Sequence, residues 1–266
     1  MKRNCHRFTC SISKIVDEIA LADPTASALA SRLMDIELSG RNTPATFIIG
    51  LSDTVMLSLA DAIAQINKPP YQDLGVKLRG AAEWALYNAC NFVTLGNLTV
   101  DQAAAIHIYS MPTPLYPALN TALRNEDRAT LKSFFHYLRL FLSGIYQLPM
   151  QSRQLYRGVK ANLATQFVVG QEVVWWSITS ATSKLSVLSN PDFMGSDGDR
   201  TQFIITAIGA IDISAYSRYP AECECILLPG TVLKVEDVLD AGHGLQQVKL
   251  TQVKRAGVMD YVHPEM

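Results

Sequence analysis

The sequence carries almost no net charge: 23 Lys and Arg against 24 Asp and Glu leave −1 at neutral pH. Nonspecific nucleic-acid binding needs a basic excess that displaces counterions from phosphates, so that function class is excluded. Cysteine is scarce and odd in number, at Cys5, Cys10, Cys90, Cys223 and Cys225. This spacing makes a poor disulfide framework and is expected of reduced thiols in a cytosol-like compartment. No second Cys or His pair stands at zinc spacing beside Cys223-x-Cys225, so no metal is expected. Long apolar runs are missing too. Even Trp84 to Val100 is broken by Asn and Thr, and a membrane span of about 20 residues is not expected. The start, MKRNCHRFTCSISK, has no apolar stretch behind its basic residues, so a Sec-type leader is not expected either. A polar, Ser/Thr-containing start suits a specialised secretion system. What is present is a core: 48% of the 266 residues are apolar and 18% charged, the balance of a soluble protein that folds without staples.

The texture changes near residue 150. Before it, apolar residues recur at three- and four-residue steps. Ile12 to Leu38, Thr54 to Ile66, Leu78 to Cys90 and Thr99 to Tyr109 read as helices, the last opening with a capping-box start at Thr99-Val100-Asp101-Gln102. Glu126 to Tyr146 reads as one long helix, with Leu131, Phe134, Phe135, Leu138, Leu142 and Ile145 on its apolar face. After Pro149 come short β-branched and aromatic runs separated by Gly, Pro, Asn and Asp. Residues 155–159, 172–179, 201–208, 222–228, 231–235 and 245–253 read as strands. The expected fold is α+β, a helical region over 1–150 followed by a mixed β core over 151–266.

Three segments carry chemistry. In Glu222-Cys-Glu-Cys-Ile-Leu-Leu228 a strand's alternation puts Glu222 and Glu224 on one face, about 7 Å apart along the backbone. Two acids so placed can flank one reacting centre. Taken singly, such a pair is also what an acidic strand end in water looks like. The same alternation sends Cys223 and Cys225 to the opposite, core face. Arg157-Gly158 at a strand end offers a guanidinium fork to a phosphate, with a backbone that a ligand can approach closely. By itself the arginine reads rather as a surface ion pair. Trp175-Trp-Ser-Ile-Thr-Ser-Ala-Thr182 runs an aromatic strand into a hydroxyl cluster, and Trp175 and Trp176 are expected to face opposite ways.

The order Tyr156-Arg157-Gly158, then Ser180-Ala181-Thr182, then Glu222-x-Glu224 with Pro229-Gly230 behind it resembles the R-S-E class of mono-ADP-ribosyltransferases. This is the family of cholera-toxin-like and vertebrate ecto-enzymes. Ile106-His-Ile-Tyr109, Pro114 to Arg124 and the long helix ending shortly before Tyr156-Arg157 are similar to the helices that precede the core in eukaryotic-type members. The resemblance spans roughly residues 103–253, so 103–150 leads into an ADP-ribosyltransferase-like core, and residues 1–100 have no counterpart in it.

The resemblance implies NAD as substrate and a role for each matching residue. Arg157 matches the arginine on the NAD phosphates, and Gly158 the backbone that bonds the nicotinamide carboxamide. Ser180 matches the first Ser of the S-T-S motif that orders the catalytic Glu, with Ser177 as the alternative register. Ala181 departs from the motif's Thr. Glu224 matches the catalytic Glu and Glu222 its upstream partner. Phe193, in the loop from Asn190 to Arg200, matches the aromatic that stacks on nicotinamide, or else it anchors that loop. Tyr216 and Tyr219 lie in the loop that recognises the acceptor, or else pack on the strand they precede. The E-x-E pattern implies an arginine acceptor. A similarity to CteC-like bacterial effectors implies instead a threonine of host ubiquitin, in a host cytosol. An NAD glycohydrolase, and a silent module that only holds NAD or a protein, are the alternative functions.

Overall fold

The computed structural model describes residues 50–92, 96–125, 128–191 and 193–253. The Ile12 to Leu38 helix lies outside the described residues. Among the described residues six helices come first: α1 (Leu59–Ala64), α2 (Leu74–Cys90), α3 (Val100–Ser110), α4 (Leu115–Arg124), α5 (Arg128–Leu131) and α6 (Phe135–Ile145). Thr99 caps α3 as the sequence predicts: its hydroxyl accepts from Gln102 N, and the Gln102 side chain returns the bond to the Thr99 backbone. From Ala103 to Ser110 every residue of α3 is buried, so this helix is the axis around which the others pack. The single long helix expected over 126–146 is instead divided. A 3-10 turn at Lys132–Phe134 separates α5 from α6. The apolar face still reaches the core, with Leu131, Phe134, Phe135, Leu138, Leu142 and Ile145 all buried.

Seven strands follow: β1 (Met150–Val159), β2 (Glu172–Trp175), β3 (Thr179–Thr182), β4 (Arg200–Asp212), β5 (Glu224–Leu227), β6 (Thr231–Asp240) and β7 (Leu245–Gln252). They run in the order β1-β3-β5-β4-β7-β6-β2, and β1 also pairs with β4 along almost its whole length. The β4–β7 pair is parallel and the others antiparallel, so the sheet is mixed. Two apolar clusters result. One joins the helices to Trp176, Ile178, Ile211, Ile213, Ile226 and Leu228, the other gathers Leu155, Trp175, Phe203, Leu233, Val248 and Leu250. Trp175 and Trp176 thus face opposite ways, each buried in a different core. The helical and β regions share the first cluster across residue 150.

Two strand readings change. The run expected over 172–179 is split: β2 pairs with β6, whereas β3 begins at Thr179 and pairs with β5. The run expected from Glu222 begins only at Glu224. Pro220–Glu222 form a 3-10 turn and Cys223 is left-handed, with φ 49° and ψ 47°. A left-handed residue breaks the alternation on which the two-face argument depended. Cys223 therefore is half-buried, and only Cys225 is fully buried.

Burial pushes the Cys225 thiol up to about 11, aided by the nearby Asp212 carboxylate and opposed by Arg153, so it stays protonated at neutral pH. Cys225→Ala is expected to cost roughly 1–2 kcal/mol in denaturant unfolding, as a filled core position is emptied. Cys223→Ala should stay within about 0.5 kcal/mol. Equal losses would return Cys223 to the core.

Candidate active site

The site begins where the chain crosses from one wing of the sheet to the other, at Trp176–Ile178. Backbone buried outside a ladder must still be hydrogen-bonded. Asn120 of α4 does this at both ends of Ile178: its Oδ1 accepts from Ile178 N at 3.1 Å and its Nδ2 donates to Ile178 O at 3.2 Å. Arg124, one turn further along α4, donates to Ser177 Oγ at 2.9 Å. Tyr109 of α3 donates to Ile178 O at 3.1 Å and stands 3.3 Å from Ser180 Oγ. The two candidate serines are thus separated: Ser177 belongs to the crossover and its partner on α4, and Ser180 to β3.

Arg157 on β1 reaches the same place. Its Nη1 donates to Ser180 O at 2.5 Å, and the side chain is 2% exposed. A guanidinium is costly to bury unless its donors are used, so this contact explains how it is held beside β3. Gly158 follows, with Met194 packed against it. A Cβ there would meet Met194 Cβ at 2.7 Å. Phe193 is 3% exposed, its ring turned into the protein. The loop it sits in is tied down at its end by Arg200, which donates to Gly198 O and His243 O at 2.8 and 3.0 Å.

Glu224 opens β5 directly opposite Thr182 and is 1% exposed. Ser217 Oγ donates to its Oε2 at 3.3 Å. Glu222 is half-buried on the preceding turn. Thr182 holds that turn through a 2.6 Å bond from its hydroxyl to Glu222 O. The two acids are therefore presented by a turn and a strand start, not by one strand face. Tyr216, expected at the acceptor, is turned inward: it is 7% exposed and meets Phe92 edge-on, with ring centroids 5.9 Å apart. Its neighbours on the helical side leave a large aromatic ring more apolar contact inside than out. Tyr219 is half-buried, beside the exposed Arg218, whose guanidinium lies 5.7 Å from its ring centroid.

The arrangement brings a buried guanidinium, a position closed to any side chain, a hydroxyl-bearing strand and a buried carboxylate into one corner of the sheet. A search against protein families matches residues 67–257 to the ART family, the NAD:arginine ADP-ribosyltransferases. The chain belongs to that family. It is an NAD-dependent mono-ADP-ribosyltransferase, with NAD as substrate.

The family match starts upstream of the motif resemblance at 103, so α2 belongs to it as well as α3. A comparison with curated proteins returns no match. Solved structures of the same fold include the eucaryotic mono-ADP-ribosyltransferase ART2.2, 18% identical, covering 79% of this chain and 87% of its own at a TM-score of 0.56. The type III effector XopAI from Xanthomonas axonopodis pv. citri is 15% identical, covering 90% and 100%, with a TM-score of 0.53. The ADP-ribosyltransferase Vis of Vibrio splendidus, in complex with agmatine, is 19% identical, covering 72% and 90%, with a TM-score of 0.50. Among the described residues no helix is long and apolar enough to cross a membrane, and no cluster of His, Cys, Asp and Glu could hold a metal ion.

Sequence reasoning missed Ser217, Asn120 and Tyr109, which bond Glu224, Ile178 and Ser180. Asn120 carries a usable signal, a carboxamide on the inner face of an amphipathic helix, since such groups must find partners. Ser217 carries none, because a serine in a loop has many ordinary uses.

Gly158→Ala tests the closed position. The added Cβ must displace Met194, and with it the loop over the site. NAD binding is expected to weaken by about tenfold or more, roughly 1.4 kcal/mol. Unchanged NAD affinity by calorimetry would show that Met194 moves freely.

Proposed function

We propose that the protein transfers ADP-ribose from NAD to an arginine of a target protein, with Glu224 as the catalytic carboxylate. The observation that carries this reading is Glu224 buried at the start of β5, across from Thr182 and beside the strand whose Ser180 carbonyl holds Arg157. Arg157 would hold the phosphates of NAD and Gly158 its carboxamide. In the reaction the bond between the ribose carbon and the nicotinamide nitrogen breaks, its electron pair leaving with nicotinamide. Positive charge then develops on the ribose, as in glycoside cleavage. A carboxylate fixed in a water-poor corner stabilises that charge more than one in bulk water.

Glu222 would take the proton that the acceptor nitrogen loses as it bonds to the ribose carbon, a role typically worth about 10²–10⁴-fold. Its half-exposed turn suits a group that must meet an incoming protein. Half-buried Tyr219 and exposed Arg218 lie on the loop just before that turn. Two further observations support arginine: the family is described by that acceptor, and Vis is solved with agmatine, whose guanidinium resembles an arginine side chain. XopAI is named a type III effector, which favours delivery into a host cell and a host target. Threonine of ubiquitin is the competing acceptor, and peptide mapping of the labelled protein separates the two.

Glu224→Gln is expected to abolish nicotinamide release and protein labelling together, by at least about 10²-fold, with the fold retained. Glu222→Gln should suppress labelling while sparing slow NAD hydrolysis, since water needs no dedicated base to reach an oxocarbenium centre. Both activities are measured side by side. Equal loss of both in Glu222→Gln would end the division of labour, and more than a tenth of wild-type release in Glu224→Gln would end the assignment.

A further inference from the structure

We infer that Ser217 is the positioning residue of Glu224, and that α3 of the helical region sets it through the loop it belongs to. This rests on Glu224 being the catalytic carboxylate. The hydroxyl bookkeeping comes first. A carbonyl only accepts, so Tyr109 spends its phenolic proton on Ile178 O. Toward Ser180, 3.3 Å away, Tyr109 then acts as acceptor. Ser180 Oγ therefore lies against the helical layer.

A donor to Glu224 comes from the opposite side. Ser217 Oγ accepts from Tyr219 N at 3.1 Å, which fixes its lone pair and turns its proton to Glu224 Oε2 at 3.3 Å. That is long for an O–H···O bond, and catalytic hydrogen bonds of this kind tighten in the complex with substrate.

The residues on either side of Ser217 are both held by α3. His107 Nδ1 is 2.8 Å from Tyr216 O, and Ser110 Oγ accepts from Arg218 N at 2.6 Å. Phe92 packs edge-on against the rings of both His107 and Tyr216. Burial lowers the His107 pKa, its bond to Tyr216 raises it and Arg218 lowers it further; the net direction favours the neutral ring, whose Nδ1–H donates to the carbonyl. Three consecutive loop residues are thus fixed: two by backbone bonds to one helix, and the middle one by a hydroxyl bond to the carboxylate. Ser217 is itself 4% exposed, so its rotamer is set by packing as well.

The test measures kcat and KM for NAD by nicotinamide release, with melting temperature, in Ser217→Ala, Ser217→Thr, Ser110→Ala and Glu224→Gln. Ser217→Ala should lower kcat about 10-fold to 100-fold while KM moves less than about threefold, because the hydroxyl acts on the carboxylate and not on NAD. Ser217→Thr, which keeps the hydroxyl, should recover most of that loss. Ser110→Ala touches Glu224 only through the loop, and should lower kcat by less with KM again held. It carries the test if Ser217→Ala fails to fold. Wild-type kcat in Ser217→Ala, a loss confined to KM, or no recovery in Ser217→Thr overturns the inference. Those results with Glu224→Gln inactive would leave the catalytic assignment standing. An active Glu224→Gln would remove both.

Discussion

The rest of the structure depends on one buried crossover, Trp176–Ile178, and on the amide of Asn120 that satisfies it. Here the chain leaves β2 in one wing and enters β3 in the other, so no neighbouring strand supplies partners for Ile178. A buried peptide group left unpaired costs on the order of 1–3 kcal/mol. Asn120 matches both of its needs with one side chain. The consequence is geometric. Trp175 goes to the β core and Trp176 to the helical core, and β3 starts at the position that lets Ser180 meet Arg157.

The helical region is therefore bonded directly to the crossover and to the loop before β5. α3 and α4 lend it Tyr109, Ser110, His107, Asn120 and Arg124, each bonded to a loop or strand of the β region. These bonds are made by side chains on buried faces, so each is screened little by solvent and must be correct to be tolerated. The family match, over 67–257, takes in both helices. A β core alone would hold the carboxylates without the scaffold that aims them.

On the far side, Arg153 ties β1 to the end of β4 and to β5. It donates to Asp212 Oδ2 at 2.8 Å and reaches Cys225 Sγ at 3.4 Å. Desolvation raises the Asp212 pKa, but bonds from Ser214 and Arg153 outweigh it and hold it below the usual carboxylate value. Its folded form is thus favoured above the unfolded pKa and loses that support as pH falls through the folded one. Asp212 also accepts from Ser214 N at 2.9 Å. The base of the loop that carries Ser217 is fixed from beneath as well as from α3.

The sequence by itself determined the class and the parts. Periodicity of 3.6 and 2 separated the helical and β regions, because that signal is local and repeats along the chain, and the ordered Arg157, Ser180 and Glu224 carried the resemblance to a family. The capping box at Thr99 was legible for the same reason. Four things were decided only by tertiary structure. The strand at Glu224 starts late because Cys223 takes a left-handed conformation in the turn, which alternation alone does not register. The 172–179 run divides because each half has a different pairing partner. Tyr216 turns inward because Phe92 and His107, over a hundred residues earlier, offer it an apolar seat. Ser217 meets Glu224 because two backbone bonds to α3 bring the loop there. The last three are long-range contacts, and their energy is absent from any short window of the chain.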